Sequence, residues 1–186
     1  MAKGNLYVVS GPSGSGKSTV CTKVSQNDNI YLSISATTRA PRGHEKHGVE
    51  YFFLSQEEFL QRVANGEFLE HAEVFGNYYG TLKTVIDEKL AKGIDVILEI
   101  DVQGGMQVRD KYPEAHLIFF KPPTREELEN RLRKRKTESE DKVQQRLATA
   151  IQELEYESKY DETIVNVSIE QACKDLLDII KKNRVK

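Results

Sequence analysis

The sequence predicts an α/β fold with a doubly wound, mainly parallel sheet core and an inserted mixed α+β lobe. Short apolar runs alternate with amphipathic helical segments along most of the chain, as in proteins whose parallel sheet is covered by helices on both faces. The alternation breaks between about residues 35 and 83, where extended segments follow one another. The chain has 186 residues, the length of one domain with small insertions.

The elements follow one another in a simple order. Extended runs lie at residues 6–10, 30–34, 51–54, 68–75, 95–101, 116–120 and 163–166. Helices are expected at about 18–25, 55–64, 82–92, 103–111 and 141–158, and again from 124 and from 168 onward. A serine or threonine followed three residues later by glutamate caps the helices that begin near 55 and 124. The segment 36–50 is predicted as a loop and 76–80 as a turn.

Composition excludes several classes of protein. Lys and Arg number 27 against 29 Asp and Glu, a net charge of -2, which argues against a surface built to cover nucleic acid. Cys21 and Cys173 lie far apart in helical stretches, and free thiols are expected. The N-terminus lacks the pattern of a signal peptide, and no apolar run reaches the ~18 residues of a membrane span. We therefore expect a cytoplasmic protein with no membrane partner.

A glycine-rich loop carries the strongest chemical signal. Residues 11–18, Gly-Pro-Ser-Gly-Ser-Gly-Lys-Ser, match the phosphate-binding loop pattern, and they lie between an apolar strand and a helix. Glycines let several backbone N–H groups converge on one anion, and the helix start adds its positive dipole end. Lys17 is expected at the outer phosphates and Ser18 at Mg²⁺. The dinucleotide-binding fingerprint fails, because its third glycine position is Thr19.

An acidic strand end is the second signal. Asp101 ends the run 95–101, and Glu99 lies two residues earlier on the same face of the strand. In phosphate-loop enzymes an acid at this place lies beside the magnesium site. The residues so far indicate a nucleotide phosphate with Mg²⁺, which is common to kinases, GTPases and ATPases.

Two basic segments suggest a second phosphate. Arg39 and Arg42 lie close together on a loop that precedes Tyr51, which makes a plausible clamp for an anion. A run of arginine and lysine covers 131–136, with Arg146 on the next helix. Such a run is commonly a solvated face or a nucleic-acid patch, but acidic neighbours at 138, 140 and 141 argue against nucleic acid. Transfer between two phosphates needs many cations and no general base, because the acceptor is already an anion.

With these motifs in order, the chain resembles the guanylate kinase family over nearly its whole length. The resemblance rests on residues 11–18, 35–43 with Tyr51, 68–70, 76–81, 99–104, and the arginines at 131, 135 and 146. It implies Mg²⁺-dependent transfer of a phosphoryl group from ATP to GMP. It also implies a P-loop core at about 1–34, 84–125 and 157–186, a GMP-binding lobe at about 35–83 and a helical lid at about 126–156.

The resemblance assigns roles by position. ATP would be bound by Gly11, Pro12, Ser13, Gly14, Ser15, Gly16, Lys17, Ser18, Thr19, Arg131, Arg135 and Asn166. GMP would be bound by Ser35, Arg39, Arg42, Tyr51, Glu70, Tyr79, Thr81 and Asp101. The catalytic cations would be Lys17, Arg39, Arg135 and Arg146. The magnesium ligands would be Ser18 and Asp101.

The guanine contact has a physical rationale. Guanine carries donors at N1 and N2, and one ionised carboxylate can accept both of them. Adenine lacks both donors, so the same acid would be left buried and unpaired. The residues alone do not choose among Glu67, Glu70 and Glu73; the resemblance indicates Glu70.

The chain departs from the family pattern at two positions. Lys136 follows the second lid arginine where the family often has glycine, and Val167 follows Asn166 where the family often has an acid. Two other functions stay open: a non-catalytic guanylate-kinase-like interaction module, which typically lacks an intact phosphate loop, and a kinase for another nucleoside monophosphate. The oligomeric state stays open as well.

Overall fold

The predicted α/β fold class is confirmed. A computed structural model describes residues 2–74, 76–133 and 140–184, and within them the chain forms nine β-strands and seven α-helices. The strands are β1 (Leu6–Ser10), β2 (Ile30–Leu32), β3 (Ala36–Thr37), β4 (Phe52–Phe53), β5 (Phe68–Val74), β6 (Asn77–Leu82), β7 (Asp95–Glu99), β8 (His116–Lys121) and β9 (Glu162–Val165). The helices are α1 (Lys17–Val24), α2 (Gln56–Ala64), α3 (Lys83–Ala91), α4 (Val102–Lys111), α5 (Arg125–Arg133), α6 (Glu140–Leu154) and α7 (Ile169–Arg184).

The larger sheet is parallel throughout and has five strands in the order β2-β7-β1-β8-β9. Strand β1 lies at its centre. The chain first adds β2 and β7 on one side of β1 and then β8 and β9 on the other. In open sheets of this kind ligands bind beyond the carboxyl ends of the strands, where the strand order reverses. The loop after β1 and the loop after β7 meet at that edge.

Alternating side chains of the parallel strands fill two cores. On one face Tyr7 and Val9 of β1 pack among α1 and α7, with Val20 and Leu176 in the same cluster. On the other face Leu6 and Val8 pack among α3 and α4 with Ile86 and Val108. Both faces of the sheet are therefore covered, which explains why the central strands are almost continuously apolar.

A smaller mixed sheet, β4-β3-β6-β5, forms from residues 36–82 and so lies within the predicted lobe, about 35–83. Helix α2 covers it through Phe59, which is fully buried. The Phe59 ring stacks on Phe68 with a centroid distance of 4.4 Å and on Tyr78 with 5.5 Å. The division of the whole chain into core, lobe and lid stays a prediction.

Local signals located most helix starts correctly and missed two strands. Ser55 accepts a hydrogen bond from the Glu58 backbone N–H at 3.1 Å, so the predicted cap at α2 is confirmed. The predicted turn at 76–80 was wrong, because 77–80 are the first residues of strand β6. The predicted loop 36–50 contains the two-residue strand β3. Neither strand has an alternating apolar pattern, and pairing within the smaller sheet makes both extended.

No helix in the described ranges has the length and apolar character that a membrane crossing requires.

We predict that Phe59→Ala lowers the free energy of unfolding by about 3–5 kcal/mol, because it removes the ring at the centre of the smaller sheet's core. Leu60→Ala, one residue later on the exposed side of α2, should change it by less than ~0.5 kcal/mol. Urea titration of both variants, followed by circular dichroism, measures the difference. Equal losses in the two variants would contradict this account of the lobe's core.

Candidate active site

The loop 11–18 wraps around the end of Lys17. The Lys17 ammonium donates to the carbonyl oxygens of Gly11 at 2.5 Å and Pro12 at 3.1 Å. Burial lowers the pKa of Lys17, and the nearby carboxylate of Glu99 partly offsets this lowering. The cation is thus held at the start of α1, where backbone N–H groups and the helix dipole already favour an anion.

Two glycines of this loop adopt a backbone conformation that other residues disfavour. Gly14 and Gly16 both have φ near 88°, in the left-handed region. At Gly16 an added Cβ would lie 2.2 Å from the amide nitrogen of Asn166. Leu128 and Leu132 of α5 lie against Gly14. The loop is therefore closely packed from behind, and its front is left for a ligand.

Asn166 supports the loop from behind. Its amide nitrogen donates to the Ser15 carbonyl oxygen at 2.7 Å, and the side chain is buried. Its amide oxygen is buried without a hydrogen-bond partner in the described residues. Its backbone oxygen accepts from Arg131 at 3.1 Å. The predicted contact between Asn166 and ATP stays a prediction. In the structure, the Asn166 side chain contacts the phosphate loop.

The two acids at the end of β7 have different partners. Ser18 donates a short hydrogen bond to Glu99, the last residue of β7. Asp101 lies beyond the strand and caps α4, accepting from the Gly104 backbone N–H at 2.8 Å. The predicted strand extended to 101, whereas β7 ends at Glu99. Asp101 as magnesium ligand stays a prediction. In the structure Glu99 is the acid bound to Ser18.

The first cleft has a volume of about 400 Å³. Its lining combines the phosphate loop and Thr19 with three carboxylates, Glu99, Asp101 and Glu153. Glu153 comes from α6, and burial raises its pKa, while Lys17 opposes that rise. Apart from Lys17, the side chains named here are acidic or neutral, so a bound polyphosphate would meet excess negative charge without a further cation.

The Ser18 hydroxyl and the carboxylates of Glu99 and Asp101 in the first cleft suit Mg²⁺. Hydroxyl and carboxylate oxygens are its usual protein ligands, and it commonly keeps water and substrate phosphate oxygens as the remainder. In the described part of the chain no group of three or more His, Cys, Asp or Glu is arranged to hold a metal by itself. The donor set near Ser18 therefore fits an ion that takes its remaining ligands from water and nucleotide phosphate.

A second cleft of about 270 Å³ adjoins the first. The segment 99–101 lines both clefts. The second cleft is otherwise lined by the smaller sheet, including Ser35, Tyr51, Glu70 and Tyr79. Two ligands in the two clefts would meet at the end of β7.

Glu70 is a buried acid in this second cleft. It is 6% exposed, and its carboxylate accepts from the Thr81 hydroxyl at 2.6 Å. Burial raises its pKa to about 7. A register shift in β5 between Phe68 and Glu70 changes the alternation there, so three successive residues are buried. Of the three candidate acids, Glu67 instead pairs with Arg62 at 3.3 Å and Glu73 is exposed.

Helix α4 holds the strand that carries Glu70. The Gln107 amide accepts from the His71 backbone N–H and donates to the His71 carbonyl, both at 3.1 Å. The Lys111 ammonium donates to the Phe68 carbonyl at 3.3 Å. At Gly104 an added Cβ would lie 3.1 Å from a Glu70 carboxylate oxygen. One face of α4 therefore fixes Glu70 relative to Asp101 at the same helix's N-terminus.

The predicted phosphate clamp lies beside the second cleft. The Arg39 guanidinium lies over the Tyr51 ring at 5.3 Å, and the Tyr51 and Tyr79 rings meet edge to face at 6.2 Å. Arg39 also forms an ion pair with Glu45 at 3.0 Å. Arg42, three residues on, lies on the same loop. Arg39 and Tyr51, which the sequence placed in one clamp, are thus together, and Tyr79, which the family resemblance added, lies beside them. Their contact with a phosphate stays a prediction.

The predicted lid arginines are described in part. Arg131 on α5 pairs with Glu127 at 2.7 Å and faces Asn166. Arg146 lies on α6. Arg135 and the departure at Lys136 lie outside the described residues.

A parallel α/β sheet whose first strand leads into this loop and helix defines the class of P-loop nucleotide-binding proteins. The second cleft beyond the end of β7 adds a site for another ligand.

Comparison with known proteins gives the family. The guanylate kinase family model matches residues 3–183, and the chain belongs to this family. A guanylate kinase from Fusobacterium nucleatum is 60% identical over 97% of this chain and 98% of its own length. One from Clostridium tetani is 47% identical over 99% of this chain and 88% of its own. The crystal structure of guanylate kinase from Anaplasma phagocytophilum matches with a TM-score of 0.80 at 36% identity, covering all of this chain and 89% of that one.

Sequence reasoning missed Glu153, Gln107 and Glu45. Glu153 lies outside the apolar stripe of α6 and has no distinguishing spacing. Gln107 is one polar residue on an amphipathic helix, and its contact depends on how β5 crosses α4. Glu45 is three residues after Arg42, which suggests a local turn but not an ion pair with Arg39.

We predict that ionisation of Glu70 destabilises the ligand-free protein. Because its folded pKa is raised, the wild-type free energy of unfolding should fall as pH rises from about 4.5 to 7, by at most ~3 kcal/mol from this group. Glu70→Gln cannot ionise and should lack that fall. Denaturant unfolding at pH 5 and pH 8 measures it, with exposed Glu73→Gln as the control. A pH dependence in Glu70→Gln identical to wild type would show that Glu70 is not the group responsible.

Proposed function

We propose that this chain transfers a phosphoryl group from ATP to GMP, with ATP in the first cleft and GMP in the second. One observation carries the proposal: the two clefts share the wall formed by 99–101, and each contains groups for a different part of the reaction. One contains a phosphate loop, and the other contains a buried acid beside an arginine clamp. The activity is the one for which the family is named.

The second cleft suits GMP at both ends of the molecule. An ionised Glu70 can accept from the two donors of guanine, N1 and N2, while Thr81 holds its other side. Arg39, Tyr51 and Tyr79 lie together at the side of the cleft where the GMP phosphate would bind. Ser35 completes the base-binding side, as the family resemblance implies.

The first cleft suits the polyphosphate of ATP. Backbone N–H groups at the start of α1 and the Lys17 ammonium would bind the outer phosphates. Arg131 on α5 and Arg146 on α6 would add positive charge when the helices close over the nucleotide, as the family resemblance implies. Ser18 and a carboxylate at the end of β7 would hold Mg²⁺. When bound with ATP, this ion supplies positive charge that offsets the repulsion between the reacting phosphates.

The chemistry requires no general base. The acceptor oxygen belongs to a phosphate that is already ionised, so the protein has to orient the two nucleotides and neutralise charge. Lys17 and Arg39 provide fixed cations on the two sides of the junction. Water would compete as acceptor, so closure of the clefts over both nucleotides is part of the proposal.

The two alternatives have less support. A non-catalytic interaction module would have no need for an intact phosphate loop with Lys17 and Ser18 held as observed here. Adenine and pyrimidine monophosphates lack the adjacent N1–H and N2–H donors of guanine, so the Glu70 carboxylate would not be paired at both oxygens.

A panel of nucleoside monophosphates tests the proposal. With ATP and Mg²⁺, GMP should be converted to its diphosphate far faster than AMP, dTMP or UMP, and removing Mg²⁺ should abolish turnover.

Lys17→Ala, if folded, should reduce kcat by at least about a hundredfold, because a cation at the transferred phosphate is lost. A coupled assay of diphosphate formation measures both. Equal rates for several monophosphates, or wild-type turnover by Lys17→Ala, would overturn it.

We predict that GMP binding depends on the ionised form of Glu70. Since its pKa in the free protein is about 7, KM for GMP should rise as pH falls below 7, by up to about tenfold per pH unit. Glu70→Gln should raise KM for GMP and remove the part of its pH dependence that comes from ionisation of Glu70.

KM for GMP is measured against pH for wild type and for Glu70→Gln. The informative quantity is the difference between these two profiles, because a nucleotide phosphate itself titrates near pH ~6. KM for ATP should be unaffected, and Glu73→Gln provides the matched control on the same strand. Parallel profiles for wild type and Glu70→Gln would refute the guanine-binding role.

A further inference from the structure

Glu45 lies inside the arginine clamp of the second cleft. One of its carboxylate oxygens accepts from the Arg39 guanidinium at 3.0 Å, and the other accepts from the Arg42 backbone N–H at 2.7 Å. The Glu45 backbone N–H donates back to the Arg42 carbonyl at 3.0 Å. A single side chain therefore connects the two arginines that the sequence predicts at the GMP phosphate.

The Arg39 guanidinium is held on several sides. Its side chain is 11% exposed, and it also donates to the Ala40 carbonyl at 2.7 Å. The rings of Tyr51 and Phe53 lie 5.3 and 6.0 Å from its central carbon. Each terminal nitrogen carries two N–H groups, and the bonds to Ala40 and Glu45 use one on each. The Tyr79 side chain also hydrogen-bonds this guanidinium. A guanidinium has five N–H groups, so these three partners leave donors for an incoming anion.

We propose that Glu45 is a positioning residue for the acceptor phosphate, fixing Arg39 and the Arg42 backbone at the spacing that the phosphate of GMP requires. This inference rests on the proposed function. A bidentate arginine contact depends on the orientation of the planar guanidinium, and a partner on the opposite edge sets that orientation. Glu45 remains ionised at neutral pH, because the Arg39 hydrogen bond lowers its pKa.

Net charge and positioning predict opposite effects on GMP binding when Glu45 is removed. Glu45 is negative, so its removal adds one net positive charge beside the phosphate and, by Coulomb attraction alone, would tighten GMP binding. If positioning dominates, the same removal weakens binding. The sign of one measured change therefore separates the two physical effects.

The test is Glu45→Gln, which keeps the size of the side chain but presents an NH₂ group to one of the two donors. We expect KM for GMP to rise about tenfold, with kcat changed less than about threefold and KM for ATP unchanged. Glu45→Asp keeps the charge and should lie between wild type and Glu45→Gln. Glu50→Gln is the matched control, because Glu50 lies on the same loop and accepts a backbone N–H from Lys46 at 2.7 Å.

Guanosine, which lacks the phosphate, distinguishes positioning from general damage to the lobe. Its inhibition constant against GMP should be the same in wild type and Glu45→Gln. Tighter GMP binding in the variant, or equal weakening of guanosine and GMP, would overturn the proposal. If wild type binds GMP but forms no GDP, the proposed function fails, whereas the direct GMP affinities of the variants still test Glu45.

Discussion

The site depends on one constraint: two polyanions that repel each other must be held end to end. In the proposed arrangement, fixed positive groups at the junction meet this constraint. The phosphate loop would contribute backbone N–H groups and Lys17, and the clamp beside the second cleft would contribute the Arg39 guanidinium. Both cations already have partners in the ligand-free protein, because two loop carbonyls bind Lys17 and Glu45 binds Arg39.

The end of strand β7 sets the distance between these two sets. Glu99 contacts Ser18 on the ATP side, and Asp101 caps α4 two residues later. The same helix fixes β5 and Glu70 through Gln107 and Gly104. A path of hydrogen bonds and close packing therefore runs from the phosphate loop to Glu70, the acid proposed to bind guanine. This explains why a sheet of five parallel strands and a separate smaller sheet can form one reaction site.

Burial shifts the pKa values of a charged group in each cleft, in opposite directions. Loss of water lowers the pKa of Lys17 and raises the pKa of Glu70, so each group loses some preference for its charged form in the free protein. In the proposed complex, a bound phosphate would restore the first preference, and guanine donors would restore the second. Selectivity and affinity for the substrates would then arise partly from relieving a penalty that the fold has imposed.

The sequence by itself determined the order of the main elements, the phosphate loop and the arginine–tyrosine clamp. These signals are local: an apolar strand before glycines, a lysine at a helix start, and arginines close together on one loop. The tertiary structure decided where the acids lie. Glu70 is buried beside Thr81, whereas Glu67 pairs with Arg62 and Glu73 is exposed. The end of β7 places Glu99 on Ser18, while Asp101 caps α4. Strands β3 and β6 have no apolar alternation and become extended through pairing with each other. Such choices depend on contacts between residues far apart in the chain, and local pattern does not encode them.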